Sequence, residues 1–393
     1  MALFRMRALH VYPTTLEHES RILKVSGSQL RSGFVTDVLI VGTWRDGLSE
    51  SEQLDEHRSL IRLRAVQARQ PLVRLLGFVL WNLRVFVCCR RLRPSLINCH
   101  SLSVLPVCVA LRWWHRARLV YEPHELETET GRLKGILRWA AVALERRLLR
   151  KADHTILVSG SIETWYRDRL GAARTSVVLN CPLTQEVTRS DYFHKLFNVP
   201  LHIPIFLYQG ILGRGRGIEI LLEAFKELEG SAALVLMGYG PSQSAVQGAV
   251  AQSRNVFFHP AVEPTQILAH TAAADFGLSP FEPVSLSHEY CAPNKLFEYI
   301  MARKPVLVSP TTDQRQIVNH YGVGRVCDSL TPEGVRAAAR RLMADGVDHY
   351  AANLERARKD LCWEQQEKVL LDVYRRILPH APQESGTGEA GPS

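Results

Sequence analysis

Short runs of apolar, often β-branched residues recur along the chain, and between them apolar positions return every three to four residues. In the first half Val35–Val41, Leu96–Cys99, Leu119–Tyr121 and His154–Val158 read as buried strands, with helices over Glu19–Ser32 and Leu133–Arg150. The second half repeats the rhythm with strands at Ile205–Gln209, Ala233–Met237, Val256–Phe258, Phe276–Leu278 and Val306–Val308, and a helix over Ile218–Leu228. Alternation of apolar strands with helices predicts α/β architecture with parallel, doubly wound sheets. Trp363–Leu378 reads as one more amphipathic helix, with Val369, Leu370, Val373, Ile377 and Leu378 on its apolar side.

With 393 residues the chain exceeds one ordinary core. Prolines at 182, 200 and 204 interrupt regular structure between the halves. The expected organisation is a first Rossmann-like domain over residues 1–190 and a second over 191–362. A C-terminal helix follows over 363–379, then a disordered Gly/Pro/Ser-rich tail over 380–393.

Charge changes this picture. Residues 1–190 carry 29 Lys and Arg against 17 Asp and Glu, whereas the remainder is slightly acidic. A basic first half predicts an anionic partner on that side: membrane phospholipid, polyprenyl phosphate or acidic polysaccharide. Nucleic acid is not expected, because no recognisable nucleic-acid module is present. Three basic stretches mix arginines with aromatic or aliphatic residues: 81–93, 112–118 and 132–151. Such composition suits a helix resting on anionic lipid, and equally a core face backed by a solvated one. Arg74 and Arg84 break the longest apolar stretch, Leu72–Cys89, so it is not read as a membrane span. The first ten residues do not read as a secretory signal, and the eight cysteines form no Cys-x-x-Cys pair. Reduced thiols in a cytoplasmic protein, peripheral to the membrane's inner face at most, are the expectation.

Two segments carry candidate chemistry. In the first, Pro293-Asn294-Lys295-Leu296-Phe297-Glu298 opens a helix, with Asn294 as the expected cap. Lys295 and Glu298 share a face one turn apart. A helix mouth beside a lysine suits a diphosphate, and a carboxylate one turn in suits a ribose diol. An exposed i,i+3 salt bridge explains the same spacing. The second segment, Gly210-Ile211-Leu212-Gly213-Arg214-Gly215-Arg216-Gly217, follows a strand and precedes a helix. Its glycines let backbone approach a ligand, and its arginines supply positive charge to a departing diphosphate. A flexible basic surface loop is the simpler account of that stretch alone. No Asp-x-Asp with a neighbouring metal ligand is present, so neither a metal nor a resident cofactor is expected.

In this order the motifs resemble the group-one, family-four retaining glycosyltransferases of GT-B fold. The matching segments are Gly210–Gly217, Met237–Pro241, Ala274–Pro280 and Pro293–Val308, with Asn98–Leu102, Val120–Leu126, Ala152–His154 and Asn180–Pro182 in the first half. The resemblance implies two Rossmann-like domains facing each other across a cleft, with the last helix returning to the first. It implies transfer with retention from a nucleotide-sugar (UDP- or GDP-linked) to a glycan or lipid-linked acceptor, in polysaccharide or glycolipid biosynthesis. Carried over by position, Glu298 would hold the ribose, and Arg216 with Lys295 the diphosphate. His100 would stand near the transferred sugar, and His124 and Glu125 match a His-Glu pair after the next strand. Gly213, Gly215, Gly238, Tyr290, Asn294 and Leu296 fall among the positions expected at the donor.

Two departures stand out. Tyr290 occupies the place of the first Glu of the family's Glu-x7-Glu motif, with Glu289 one residue out of register. Ile211 replaces the Arg after the loop's first glycine, which makes Arg214 the candidate substitute. The N-terminal glycine-rich loop is also missing, and Ser20 or Arg21 is the expected replacement at the phosphate. A catalytically degenerate partner subunit that binds a nucleotide sugar or another transferase is the alternative function.

Overall fold

The apolar runs become strands because each can bury both faces under helices. The computed structural model of the chain describes residues 6–17, 19–65, 70–131 and 133–378, and the predicted C-terminal tail lies outside them. The chain packs as two units. One comprises residues up to Pro123, Glu145–Ile156 and the chain from Glu367 onward; the other comprises His124–Leu144 and Leu157–Gln366.

The first half supplies β1 (Arg7–Val11), β2 (Asp37–Trp44), β3 (Ser51–Gln53), β4 (Arg58–Arg64), β5 (Leu96–Cys99), β6 (Arg118–Tyr121), β7 (His154–Leu157) and β8 (Thr175–Val177). They form one sheet ordered β3-β4-β2-β1-β5-β6-β7-β8, in which pairings from β4 through β7 are parallel and β3 runs antiparallel to β4. Three helices of this half matter below: α1 (Ser20–Arg31), α2 (Pro71–Cys89) and α3 (Leu105–His115).

The second unit supplies β9 (Ile205–Ile211), β10 (Ala233–Tyr239), β11 (Val256–Pro260), β12 (Phe276–Ser279), β13 (Val306–Val308) and β14 (Gly324–Val326). All are parallel, in the order β11-β10-β9-β12-β13-β14. The chain therefore winds outward from β9, then returns to start again at β12. Connections leave in opposite directions at that point, and the carboxyl ends of β9 and β12 frame a crevice. The core beneath includes Phe206, Tyr208, Phe225, Leu296, Phe297 and Tyr299, all fully buried.

Several elements depart from the sequence reading. β4 escaped it because Arg58, Arg62 and Arg64 alternate with Ser59, Leu60, Ile61 and Leu63. Arg62 is nonetheless buried: its Nε donates to Thr15 O at 2.8 Å and its NH1 to Glu52 Oε2 at 3.0 Å, so its charge is paired and its stem packs. Packing groups some residues before position 190 with the second unit. Residues 157–190 pack with the second unit through Ser159 Oγ donating to Tyr290 O (2.8 Å) and Leu179 N to Gln366 Oε1 (2.9 Å). The last helix, Trp363–Ile377, begins in that unit and from Glu367 counts with the first. There Tyr374 OH donates to Asn98 Oδ1 at 2.8 Å and Arg31 pairs with Glu367 at 2.6 Å. No helix among the described residues is long and apolar enough to cross a membrane.

Candidate functional site

Tyr299 bridges β9 and β12 where they diverge. β12 pairs with β9 only over Phe276, Gly277 and Leu278. Where the ladder ends, Tyr299 OH lies 2.9 Å from Leu207 O and 3.1 Å from Leu278 O, and accepts from Gln209 N at 3.1 Å. One phenol thus satisfies backbone groups that the diverging strands would leave unpaired. Its ring needs Gly277 beneath it, since a Cβ there would stand 2.3 Å from Tyr299 Cγ.

Two basic side chains at the carboxyl ends of these strands form no ion pair among the described residues, and the Glu298 carboxylate acts on Lys295 only from a distance. Lys295, in the first turn of the Asn294–Met301 helix, is buried, with its Nζ 3.6 Å from the centroid of the Tyr208 ring and 5.5 Å from that of Phe281. Arg216 lies over the same Phe281 ring, at 4.3 Å. Neither forms an ion pair or side-chain hydrogen bond among the described residues; aromatic faces are what they rest on. Burial drives the Lys295 ammonium well below the ordinary lysine range, and the Arg216 charge pushes the same way. A buried lysine repelled by an arginine is costly for an isolated fold, and it is a ready seat for a polyanion.

The i,i+3 salt bridge is therefore not what the Lys295–Glu298 spacing builds. Glu298 Oε2 accepts from Gln209 Nε2, and Thr271 Oγ1 lies 2.8 Å from Gln209 Oε1. That chain fixes the carboxylate by the end of β9. The glycine-rich loop is fixed too. Gly217 N donates to Glu282 Oε1 at 3.0 Å, and Glu282 N donates back to Gly215 O at 3.2 Å. The loop is a clamped turn, not a flexible surface segment. Gly210, at φ +118°, lies against Lys295, and a Cβ on Gly238 would stand 1.9 Å from Gly210 O. Glycine at 238 is what lets the ends of β9 and β10 meet.

Other expected site residues are placed differently. Asn294 does not cap its helix: Pro293 takes that position, and Asn294 Oδ1 accepts from Asn180 Nδ2 at 2.9 Å. Leu296 is core, because a helix with Lys295 at the crevice turns its next residue inward. Gly213 packs beside Pro241, and Arg214 is exposed and pairs with no carboxylate among the described residues. Glu289 Oε1 accepts from Thr312 N (3.2 Å) and Thr312 Oγ1 (2.6 Å), so it holds the start of the next helix. Tyr290 is half-buried, and its carbonyl is the acceptor for Ser159. In the second unit His124 is half-buried and Glu125 exposed. Phe281 and Gln209 were missed by sequence reasoning. Phe281 follows the strand end Ser279-Pro280, and that place beside the crevice was the available signal.

In the first unit His100 is fully buried, at the carboxyl end of β5. Its Nε2 lies 2.9 Å from His10 Nδ1, and the rings stack with centroids 5.1 Å apart. His10 Nε2 is 3.0 Å from Gln29 Oε1, and His100 Nδ1 is 3.7 Å from Glu122 Oε2. Arg21, expected at a phosphate, is buried instead, with Nε 2.5 Å from Glu122 Oε1. Ser20 is the exposed first residue of α1.

Burial takes both His10 and His100 down to about 3, reinforced at His10 by His100 and at His100 by Arg21. The unfolded chain protonates both near pH 6.5, and the folded chain refuses those protons until far lower. Stability is therefore fully present above about pH 6.5 and falls as pH drops toward 3, by up to about 1.4 kcal/mol per histidine per pH unit. Urea midpoints should drop between pH 7 and pH 5, and less so in His10→Gln. Equal drops in both proteins would refute this origin.

Comparisons with known proteins bear on the family and the fold. Residues 19–182 match the family model described as a glycosyl transferase 4-like domain, and residues 203–345 match glycosyl transferases group 1. No curated protein matches the chain in sequence. Among solved structures, sucrose-phosphate synthase from Thermosynechococcus elongatus superposes with TM-score 0.79 at 17% identity, covering 95% of this chain and 100% of that one. Anabaena HepE, solved in complex with UDP-glucose, gives 0.73 at 15% identity over 95% and 100%. WaaG, a glycosyltransferase involved in lipopolysaccharide biosynthesis, gives 0.64 at 14% over 95% and 100%. At such identities these structures share the two-sheet GT-B fold with the chain.

Proposed function

The chain belongs to the group 1 glycosyltransferases, and on that premise we propose that it moves a sugar from a nucleoside-diphosphate donor to a glycan or lipid-linked acceptor, with retention. The observation that carries the reading is the pair Lys295 and Arg216, two basic groups at the carboxyl ends of β9 and β12 that form no ion pair among the described residues. A diphosphate between them supplies the missing charge. HepE, of the same fold, holds UDP-glucose, which supports a UDP- or GDP-linked donor here.

In the step itself the bond from the anomeric carbon to the diphosphate oxygen breaks. The acceptor oxygen bonds to that carbon on the same face, and its proton passes to the departing phosphate oxygen. Lys295, Arg216 and the first N–H groups of the Asn294–Met301 helix stabilise charge where it develops, a task these side chains can perform without a metal. Glu298, held by Gln209, accepts from the ribose hydroxyls.

Titration calorimetry with UDP, GDP and their sugar conjugates tests the reading. One nucleoside diphosphate should bind, and Glu298→Ala should weaken it roughly ten- to hundred-fold, as expected for lost hydrogen bonds to a carboxylate. The variant should also cease to distinguish ribo- from 2′-deoxyribonucleotides. Absence of binding by every nucleotide would overturn the proposal. Binding without transfer to any lipid or glycan extract would leave the non-catalytic partner role.

A further inference from the structure

We propose that the α2–α3 face of the first unit docks on an anionic lipid leaflet, with α2 lying in the plane of the headgroups. Residues 57–121 contain twelve arginines and no Asp, Glu or Lys. The structure sorts that composition spatially. Of the seven side chains described as exposed on α2, six are apolar and the seventh is Arg84. Leu76, Leu80, Leu83 and Val87, spaced by four, three and four residues, form one stripe, with Leu76 61% and Leu83 57% exposed. The opposite face is apolar as well and is spent on the core through Trp81, Val85 and Cys89. A helix that is apolar all round is ordinarily covered on both sides.

At the end of the stripe the chemistry changes to that of an interface. Phe86 meets Trp114 edge-on, with centroids 5.7 Å apart, and Trp114 Nε1 donates to Arg90 O at 3.0 Å. Trp113 and Trp114 are each more than 60% exposed. Beside them Arg90, Arg91, Arg93, Trp114 and His115 line an open cleft of about 630 Å³. Arg90, Arg91, Arg93 and Arg116 are exposed and form no ion pair among the described residues. An apolar stripe, a pair of indoles and unpaired arginines in sequence match the acyl boundary, the interfacial belt and headgroup phosphates. A second copy of the chain fits less well. Two-fold pairing through this face would turn both acid-free arginine clusters toward one another. The helix is not apolar enough over sufficient length to span, so it lies on the leaflet rather than across it.

The test uses the full-length protein with vesicles of phosphatidylglycerol and phosphatidylcholine, and with vesicles of phosphatidylcholine alone. Sedimentation should show partition favouring the anionic vesicles by at least ten-fold, decreasing with salt. The triple variant Arg90→Gln/Arg91→Gln/Arg93→Gln should lose that preference, at about five-fold per arginine. Leu76→Gln/Leu80→Gln/Leu83→Gln should lose binding to both vesicle types by more than ten-fold. Nucleotide affinity, which involves none of these residues, should stay unchanged and reports that each variant folds. Quenching of tryptophan emission by brominated phosphatidylglycerol needs no variant and should be seen in the wild type. Lack of wild-type binding or quenching would overturn the proposal. So would binding that survives both triple variants, or a self-association that the leucine variant abolishes in place of vesicle binding.

Discussion

Lys295→Met is expected to lower kcat/KM for sugar transfer by about 10²- to 10³-fold while leaving the protein at least as stable as the wild type. The two effects share one cause. The ammonium is buried over Tyr208, repelled by Arg216, and paired with no carboxylate within 4 Å. In the free protein burial disfavours its charged form, so removing the amine costs the fold little, and methionine of similar length can rest on the same ring. In the reacting complex it is a fixed positive charge at the departing diphosphate. The pH dependence has a definite sign. Because the folded lysine titrates well below the unfolded one, the unfolded chain holds a proton that the folded chain has released. Wild-type stability should rise with pH between the lowered value and about 10.4, and Lys295→Met should lack that rise. Binding of a diphosphate favours the charged lysine, so calorimetry in buffers of different ionisation enthalpy should show net proton uptake that the variant loses. A variant with wild-type turnover would remove Lys295 from the mechanism.

The second large effect belongs to the first unit. Arg21→Met is expected to destabilise it by about 3–5 kcal/mol, because it leaves Glu122 charged and buried without its partner. Arg21 is 3% exposed and Glu122 fully buried, and the other carboxylate oxygen lies 3.7 Å from His100, which is neutral at pH 7. Replacing both, Arg21→Met with Glu122→Gln, should recover most of the loss, since no charge is then left unpaired. Denaturant midpoints for the two variants measure this directly. If Arg21 were instead a phosphate ligand, the single variant would fold normally and lose nucleotide affinity. Loss of less than about 1 kcal/mol in the single variant would sink the structural assignment.

Those two residues illustrate how far the sequence could be read. Strands such as Leu96–Cys99 and Val306–Val308 were legible to the residue, because both faces are buried and no charged residue interrupts them. β4 was not, since a strand whose buried Arg62 is paired through Glu52 and the Thr15 carbonyl looks like a polar segment until those partners are known. The order of the motifs pointed to Lys295, Arg216 and Glu298, and these three do gather around β9. Side-chain orientation was beyond reach. Asn294 resembles a cap and Leu296 a neighbour of the ligand, yet one bonds Asn180 and the other fills the core. Glu289, one residue from a motif position, is committed to Thr312 by hydrogen bonds across 23 residues of sequence. Tyr299 sits inside the strongest motif, but its role depends on the separation of two strands that periodicity cannot order.

The course of the last helix bears on any attempt to dissect the protein. Tyr374 closes over Phe34 and donates to Asn98, 276 positions earlier in the sequence. A fragment ending near residue 190 would carry Phe34 and Asn98 without the tyrosine that covers them. Such a fragment should come out of the cell aggregated or partly unfolded, whereas supplying the Trp363–Ile377 peptide, or fusing it behind a linker, should restore solubility.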